Sequence, residues 1–322
     1  MLAMVPFFSG CESKPQKQTL PDDADQLLDF PAFITPVEDY FKISIGKIPA
    51  LDKESYQLQI SGAVNKPAVY TLDDLRNLEM VEKTLTTECI ENPANGKLLG
   101  NATWKGFRLY DLLLGLGINE GVSAVKYICA DGYYTYNTLE ELQHADILGA
   151  LYMNDETLPA EYGFPLRIIF PGYYGVRHPG WIVEIELLES GVEDYWSTLG
   201  WKTDSPMDID SKILFPPYNS KFTFGDSVRI GGSAYGSRRI AAVDITVDDG
   251  KSWIPATIKQ DMEEDYAWIF WEVTFMPQST GTLTINSRAT ALDGSVQPRL
   301  DPSLLDGRNS WPVLTISVEE GS

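Results

Sequence analysis

Apolar and polar residues alternate through Tyr56-Gln57-Leu58-Gln59-Ile60-Ser61-Gly62, which predicts a strand with one buried face. Residues 125–129, 166–170 and 181–187 also read as strands, the last two flanking a turn-rich segment from Pro171 to Gly180. Short helices fall between them. Thr71 precedes Leu72-Asp73-Asp74-Leu75, with a hydroxyl to cap the first turn and acids inside it. Thr138-Leu139-Glu140-Glu141 repeats that signature, and the apolar helix over 109–114 is closed by Gly115 and Gly117. This irregular interleaving predicts an α+β mixed domain rather than a βαβ series. Residues 193–220 read as a Pro-rich connection. Beyond them, runs at 226–230, 240–247, 252–258, 267–275, 282–289 and 313–318 are separated by turns such as Asp248-Asp249-Gly250-Lys251 and Asp293-Gly294. That spacing predicts an all-β, immunoglobulin-like sandwich. The expected organisation is a leader and linker over 1–35, a first domain over 36–200 and a second over 201–322.

Composition supports a strand- and loop-rich protein, with 16 Tyr, 13 Phe, 8 Trp and 20 Pro in 322 residues. The formal net charge is −21, so no nucleic acid and no anionic membrane surface is expected as a partner through the overall field. No apolar run reaches the roughly 18 residues needed to span a bilayer.

Three cysteines, Cys11, Cys89 and Cys129, and two histidines, His144 and His178, limit the metal chemistry. None of the cysteines is spaced Cys-x-x-Cys, and two histidines are too few for a three-His zinc site, so neither haem nor zinc is expected. Residues 1–11 run from an apolar stretch through Ser9-Gly10 to Cys11, and a polar linker follows. This resembles the end of a bacterial lipoprotein signal, with Cys11 as the expected lipidation site. The charged segment that opens such a leader does not appear, which suggests a start further upstream. The expectation is an extracytoplasmic protein, in the periplasm or at the cell surface, touching a membrane only through a lipid anchor.

Most of the chain is chemically quiet: it has no Gly-x-Gly-x-x-Gly after a strand, no Gly-x-Ser-x-Gly and no His-Glu-x-x-His. Thr86-Thr87-Glu88-Cys89-Ile90-Glu91-Asn92-Pro93 stands out, because a lone Cys follows a strand and opens a loop. A small buried thiol is the commoner fate of such a residue, and Cys129 suits that reading. Cys89 is placed where the chain leaves its strand, where a soft thiolate could hold one heavy metal ion.

Glu88-Cys89-Ile90-Glu91-Asn92 followed by Trp104-Lys105-Gly106 and Asp111-Leu112-Leu113 resembles the sulfite oxidase family of molybdenum enzymes, with its Cys-x-x-Asn, Trp-x-Gly and Asp-Leu-Leu. Met153-Asn154, Gly163-Phe164-Pro165-Leu166-Arg167, and Pro171-Gly172 through Gly175-Val176-Arg177 to Trp181 keep the family's order. Gly232-Ser233-Ala234-Tyr235, residues 243–253 and Gln297-Pro298 resemble its C-terminal dimerisation domain. The likeness spans about residues 35–318.

The resemblance implies a molybdenum–molybdopterin cofactor with one pterin, bound to the metal through Cys89. Asn92 sits in the cofactor loop, and Arg177 and His178 fall where the family holds the pterin and its phosphate. Gly180 stands where the family usually has Lys, so that contact is missing or comes from elsewhere, with Lys97 and Lys105 as candidates. Lys42 matches the family's Arg-Asn-His only at the cation. Tyr136 matches the active-site Tyr, with Tyr134 and Tyr133 as rivals. Arg238 matches a second-domain Arg that reaches the substrate.

The implied activity is oxygen-atom transfer, foremost the oxidation of sulfite or a related small oxyanion, with Lys42, Arg177 and Arg238 converging to make the pocket positive. Electrons then pass to a separate acceptor, a c-type cytochrome being the candidate. A homodimer is the candidate assembly. A reductase of nitrate or sulfoxides on the same cofactor is the alternative, and a surface binding protein on a decayed fold is another.

Overall fold

The computed structural model describes residues 29–191, 193–301, 303 and 305–321. Cys11 lies outside them. The first half is built on two sheets. One is five-stranded, in the order Ala68–Thr71, Gln57–Gly62, Ile182–Leu188, Ala124–Cys129 and Tyr134–Thr138. Gln57–Gly62 and Ile182–Leu188 run parallel, and the remaining pairs are antiparallel. The other places Met80–Glu88, Leu99–Arg108, Leu148–Met153 and Glu156–Thr157 side by side, with Arg167–Ile169 also pairing on Leu148–Met153. Leu58, Ile60, Val125, Tyr127, Ile182 and Ile185 pack with Leu109, Leu112 and Leu113 of the helix Leu109–Leu116 into the main core.

Local signals act as the sequence suggests. Thr71 and Asp74, and Thr138 and Glu141, form reciprocal capping boxes on Leu72–Arg76 and Leu139–His144. Gly117 closes the helix Leu109–Leu116 at φ 80°, whereas Gly115 lies inside it. Cys129 is a core thiol, 4% exposed, and burial pushes it well above the ordinary range.

The second half is a sandwich of two sheets, Asp210–Phe215, Val228–Tyr235, Ile269–Phe275 and Thr257–Gln260 facing Ser220–Thr223, Val313–Glu319, Gly281–Ala291, Ile240–Thr246 and Ile254–Pro255. The connection expected over 193–220 therefore contains the strand Asp210–Phe215. Its buried polar residues, Asp210, Ser211 and Lys212, hide the apolar alternation that marks a half-buried strand. The run expected at 226–230 continues to Tyr235 through Gly231 and Gly232, because the rings of Phe215 and Trp271 occupy the space that Cβ atoms would need. The run at 252–258 divides into two short strands that belong to opposite sheets.

The halves meet along Phe30, Phe33, Ile90, Tyr174, Met207, Tyr235, Trp268 and Phe270. Backbone bonds extend the seam: Thr86 N–H donates to Tyr266 O (2.9 Å), and Trp268 N–H donates to Thr86 Oγ1 (2.8 Å). Thr86, three residues before Cys89, is thus locked to the second half. Among the described residues, no helix is long and apolar enough to cross a membrane.

Candidate active site

Cys89 is the first residue beyond the strand Met80–Glu88. Its N–H donates to Leu98 O, and its own carbonyl accepts from Asn92 N–H, both at 2.9 Å. Cys89, 8% exposed, lines a cleft. Burial pushes the free thiol up to about 11, aided by the carboxylates of Glu91 and Glu88 and opposed by the Glu91 N–H. The cleft wall is strongly aromatic, with Phe41, Tyr133, Tyr162, Trp181, Trp196 and Trp201. Its charged members are Lys42 and Arg167 against Glu91, Asp131 and Glu161.

Arg167 is the cation that sequence reasoning passed over. Its Nε donates to His178 O and its Nη1 to Tyr162 O, both at 3.1 Å, and the guanidinium lies over the Trp104 ring. Burial depresses its pKa, while Tyr40 and Tyr162 oppose that. Among the described residues, no carboxylate forms an ion pair with it. Its signal was an Arg closing Gly-Phe-Pro-x-Arg on a strand whose next residues, Ile168 and Ile169, are fully buried.

The other predicted residues divide. Lys42 lines the cleft, but its Nζ is 3.2 Å from Glu161 Oε1. His178 lines it too, with both ring nitrogens engaged. Nε2 lies 2.7 Å from Phe170 O, a pure acceptor, so Nε2 carries the proton and Nδ1 faces Thr87 Oγ1 at 3.4 Å. Burial, with Arg167 nearby, pushes its pKa down to about 3, so the imidazole is neutral.

Asn92 is in the loop but does not line the cleft. Its Nδ2 donates to Glu88 Oε1 (2.7 Å) and its Oδ1 accepts from Leu98 N–H (3.0 Å), so it staples the loop to itself. Arg177 is 2% exposed and points elsewhere, pairing with Glu141 (2.8 Å) beneath the rings of Tyr136, Phe170 and Tyr173. Tyr136 sits against Arg177, not in the cleft. Side chains alternate along Tyr134–Thr138, and Tyr133, of opposite parity, is the tyrosine that reaches the cleft, its OH donating to Val176 O (2.6 Å). Arg238 lies in a separate groove with His144 and Tyr173 and pairs with Asp293 (2.7 Å). The expected convergence of Lys42, Arg177 and Arg238 is therefore absent, and each is matched by a carboxylate.

Gly180 has no room for a side chain. A Cβ there would lie 2.5 Å from Gly163 Cα, and Gly163 itself has φ 111°. Trp181 follows at φ 54°, an uncommon value for so bulky a residue. It is held by its N–H to Gly163 O (2.8 Å) and its indole N–H to Ala160 O (2.7 Å). Lys97 and Lys105 are exposed and line no part of the cleft.

Comparison with known proteins agrees with this architecture. A model of the oxidoreductase molybdopterin binding domain matches residues 45–196, and one of the Mo-co oxidoreductase dimerisation domain matches residues 202–319. A sulfite oxidase of Arabidopsis thaliana is 28% identical, the match covering 83% of each chain. The mitochondrial sulfite oxidase of Drosophila melanogaster is 27% identical over 83% of this chain, which spans 55% of that protein. In structure, the sulfane dehydrogenase SoxCD of Paracoccus pantotrophus superposes with a TM-score of 0.74 at 21% identity, over 96% of this chain and 92% of that one. The chain belongs to the sulfite oxidase family of molybdenum oxidoreductases. It is an α+β molybdopterin-binding domain followed by an all-β dimerisation-type domain.

The cleft of this family member fits the molybdopterin that the family binds. A near-buried thiol is a soft ligand suited to molybdenum, and metal binding would displace its proton. Arg167 meets two carbonyls but no carboxylate among the described residues, so its positive charge is left to take an anionic group. The aromatic walls suit a flat heterocycle.

Proposed function

We propose that this family member transfers an oxygen atom to or from an uncharged or cationic substrate, such as a sulfoxide, an N-oxide or its reduced counterpart. The observation that carries this reading is the charge of the Cys89 cleft. Two cations face three carboxylates there, and Lys42 is already paired. A small oxyanion needs a positive pocket, and the chain spends Arg177 on Glu141 and Arg238 on Asp293 instead.

The cofactor, when bound, supplies the two-electron change and the oxo exchange. Cys89 would be its protein ligand to the metal, and Arg167 would hold its phosphate-bearing end. His178, kept neutral, adds no charge and fixes the turn after Arg177 through Phe170 O. Trp196, Trp201 and Tyr133 give the cleft aromatic walls that exclude water, while Glu91 and Asp131 disfavour anions in it.

Oxidation of sulfite is the second reading, supported by the names of the relatives; Lys42 and Arg167 are the cations it would use. The two are separated by loading the full chain with cofactor, measuring molybdenum, and comparing sulfite oxidation by an artificial acceptor with oxide reduction by a reduced dye. A kcat/KM at least tenfold higher for the uncharged oxide is expected, and Cys89→Ser abolishes turnover while leaving the fold intact. A higher value for sulfite reverses the assignment. A properly matured sample without molybdenum supports the decayed binding fold.

We further propose that the protein works outside the cytoplasm, acylated at Cys11, and as a homodimer through its second half, which the dimerisation-domain match supports. Electrons are exchanged with a separate carrier protein of basic surface, since the chain carries −21.

A further inference from the structure

The Glu88 carboxylate, directly before Cys89, is 1% exposed and receives three donors on one oxygen. Asn92 Nδ2 and Tyr235 OH donate to Oε1 at 2.7 Å each, and Lys212 Nζ lies 3.2 Å away. Lys212 belongs to the second half, is itself 2% exposed, and also contacts Asp210 Oδ2 (2.8 Å) and Pro93 O (3.5 Å). Asp210 is tied back by Gln297 Nε2 (2.7 Å) and Ser211 N–H (2.8 Å). Burial alone would lower the pKa of Lys212, but Glu88 and Asp210 outweigh it and keep the ammonium charged.

A buried cluster of an ammonium and two carboxyl groups is a poor way to stabilise a fold, because desolvation offsets the attraction. Apolar residues of the same size would serve the seam as well. What the cluster adds is direction: it acts on both sides of Cys89, at Glu88 through the carboxylate and at Pro93 through the carbonyl. Asn92 carries the same constraint to Leu98, whose carbonyl accepts the Cys89 N–H.

We propose that Lys212 is a positioning residue for Cys89, a cation from the second half that fixes the loop 88–98 so that the sulfur faces the cleft. The proposal rests on the reading of Cys89 as the metal ligand. It also gives the second half a part in the active site of its own chain: Lys212 touches neither cofactor nor substrate and acts through Glu88.

The test uses the full chain carrying Cys11→Ser, prepared without cofactor, so that Cys89 and Cys129 are the thiols left. Alkylation by iodoacetamide is followed at each by mass spectrometry in Lys212→Met. Loss of positioning changes the Cys89-to-Cys129 labelling ratio at least tenfold, whereas general loosening raises both sites together and leaves the ratio unchanged. An unchanged ratio overturns the proposal. Should Lys212→Met not fold, Glu88→Gln, which removes the charge that Lys212 meets, and Tyr235→Phe, which removes one donor to Glu88, keep the packing, and the same ratio decides. In the cofactor-loaded chain, Lys212→Met lowers kcat at least tenfold with little change in KM. Molybdenum retained by Cys89→Ser would instead remove the ligand reading, whatever the ratio shows.

Discussion

Gly180 crosses Gly163 so closely that a Cβ on either residue would sit 2.5 to 2.7 Å from the other's Cα. Where the resemblance leads one to expect Lys, this backbone admits only hydrogen. The departure is therefore a change of backbone packing as well as of charge, and it coincides with the strained Trp181 at the cleft wall.

Gly180→Lys is accordingly expected to destabilise the protein and to add nothing to cofactor binding. Overpacking of this kind costs about 1–3 kcal/mol, which lowers the thermal midpoint by several degrees in a chain of this size. Gly180→Ala should show much of the same loss. Calorimetry of both variants checks this, and a Gly180→Lys protein as stable as the parent, with more bound cofactor, would refute the close-crossing argument.

Arg167 and Arg177 make a contrasting pair. Arg177 is sealed against Glu141, so Arg177→Met should cost stability, about 2–4 kcal/mol, by leaving Glu141 without its cation. Arg167 pairs with no carboxylate among the described residues, so Arg167→Met should cost less stability but lower pterin retention at least tenfold after dialysis. Cofactor content and thermal midpoint, measured on both variants, should move in opposite orders. If Arg177→Met loses the cofactor and Arg167→Met keeps it, the assignment is reversed.

The extent to which all this was legible in the chain follows from what each signal depends on. Local signals survived: the capping boxes at Thr71 and Thr138 depend on neighbours three residues away, and Cys89 was found from where its strand ends. Parity and partnership were not legible. Tyr136 lies within the strand Tyr134–Thr138 and Tyr133 just before it, with opposite parity, so where that strand begins and how it pairs with Ala124–Cys129 decides which of the two reaches the cleft. Lys42, Arg177 and Arg238 looked free in sequence because Glu161, Glu141 and Asp293 lie far along the chain or on another element. The strand Asp210–Phe215 escaped notice because its buried positions are polar, and one of them, Lys212, reaches the Cys89 loop.

Asp208 gives a pH dependence with a definite sign. Burial, reinforced by Asp301 and Asp306, pushes its carboxyl up from 3.8 to about 6. Between those values the folded protein keeps a proton that the unfolded chain has released. The folded state then binds more protons, so this group's contribution falls as pH rises through the window and is fully lost above about 6. Asp208→Asn removes the titration. The thermal midpoint of the parent, relative to the variant, should therefore decline from pH 4 to pH 6 and stay level above it. A parent-to-variant difference that grows in the parent's favour with pH would contradict the burial argument.

The net charge of −21 makes the electron carrier testable without knowing its name. Attraction between this surface and a basic partner acts over about 30 Å at 0.01 M salt and about 8 Å at 0.15 M. Association steered by such a field slows steeply as salt rises, whereas chemistry inside the cleft does not. Reoxidation or reduction of the loaded protein by a small basic c-type cytochrome should therefore slow at least tenfold across that range, while turnover with an uncharged artificial dye changes little. An acidic cytochrome should show the opposite trend, because screening relieves repulsion. Rates with the basic carrier that ignore ionic strength would mean that the acidic exterior plays no part in delivering electrons.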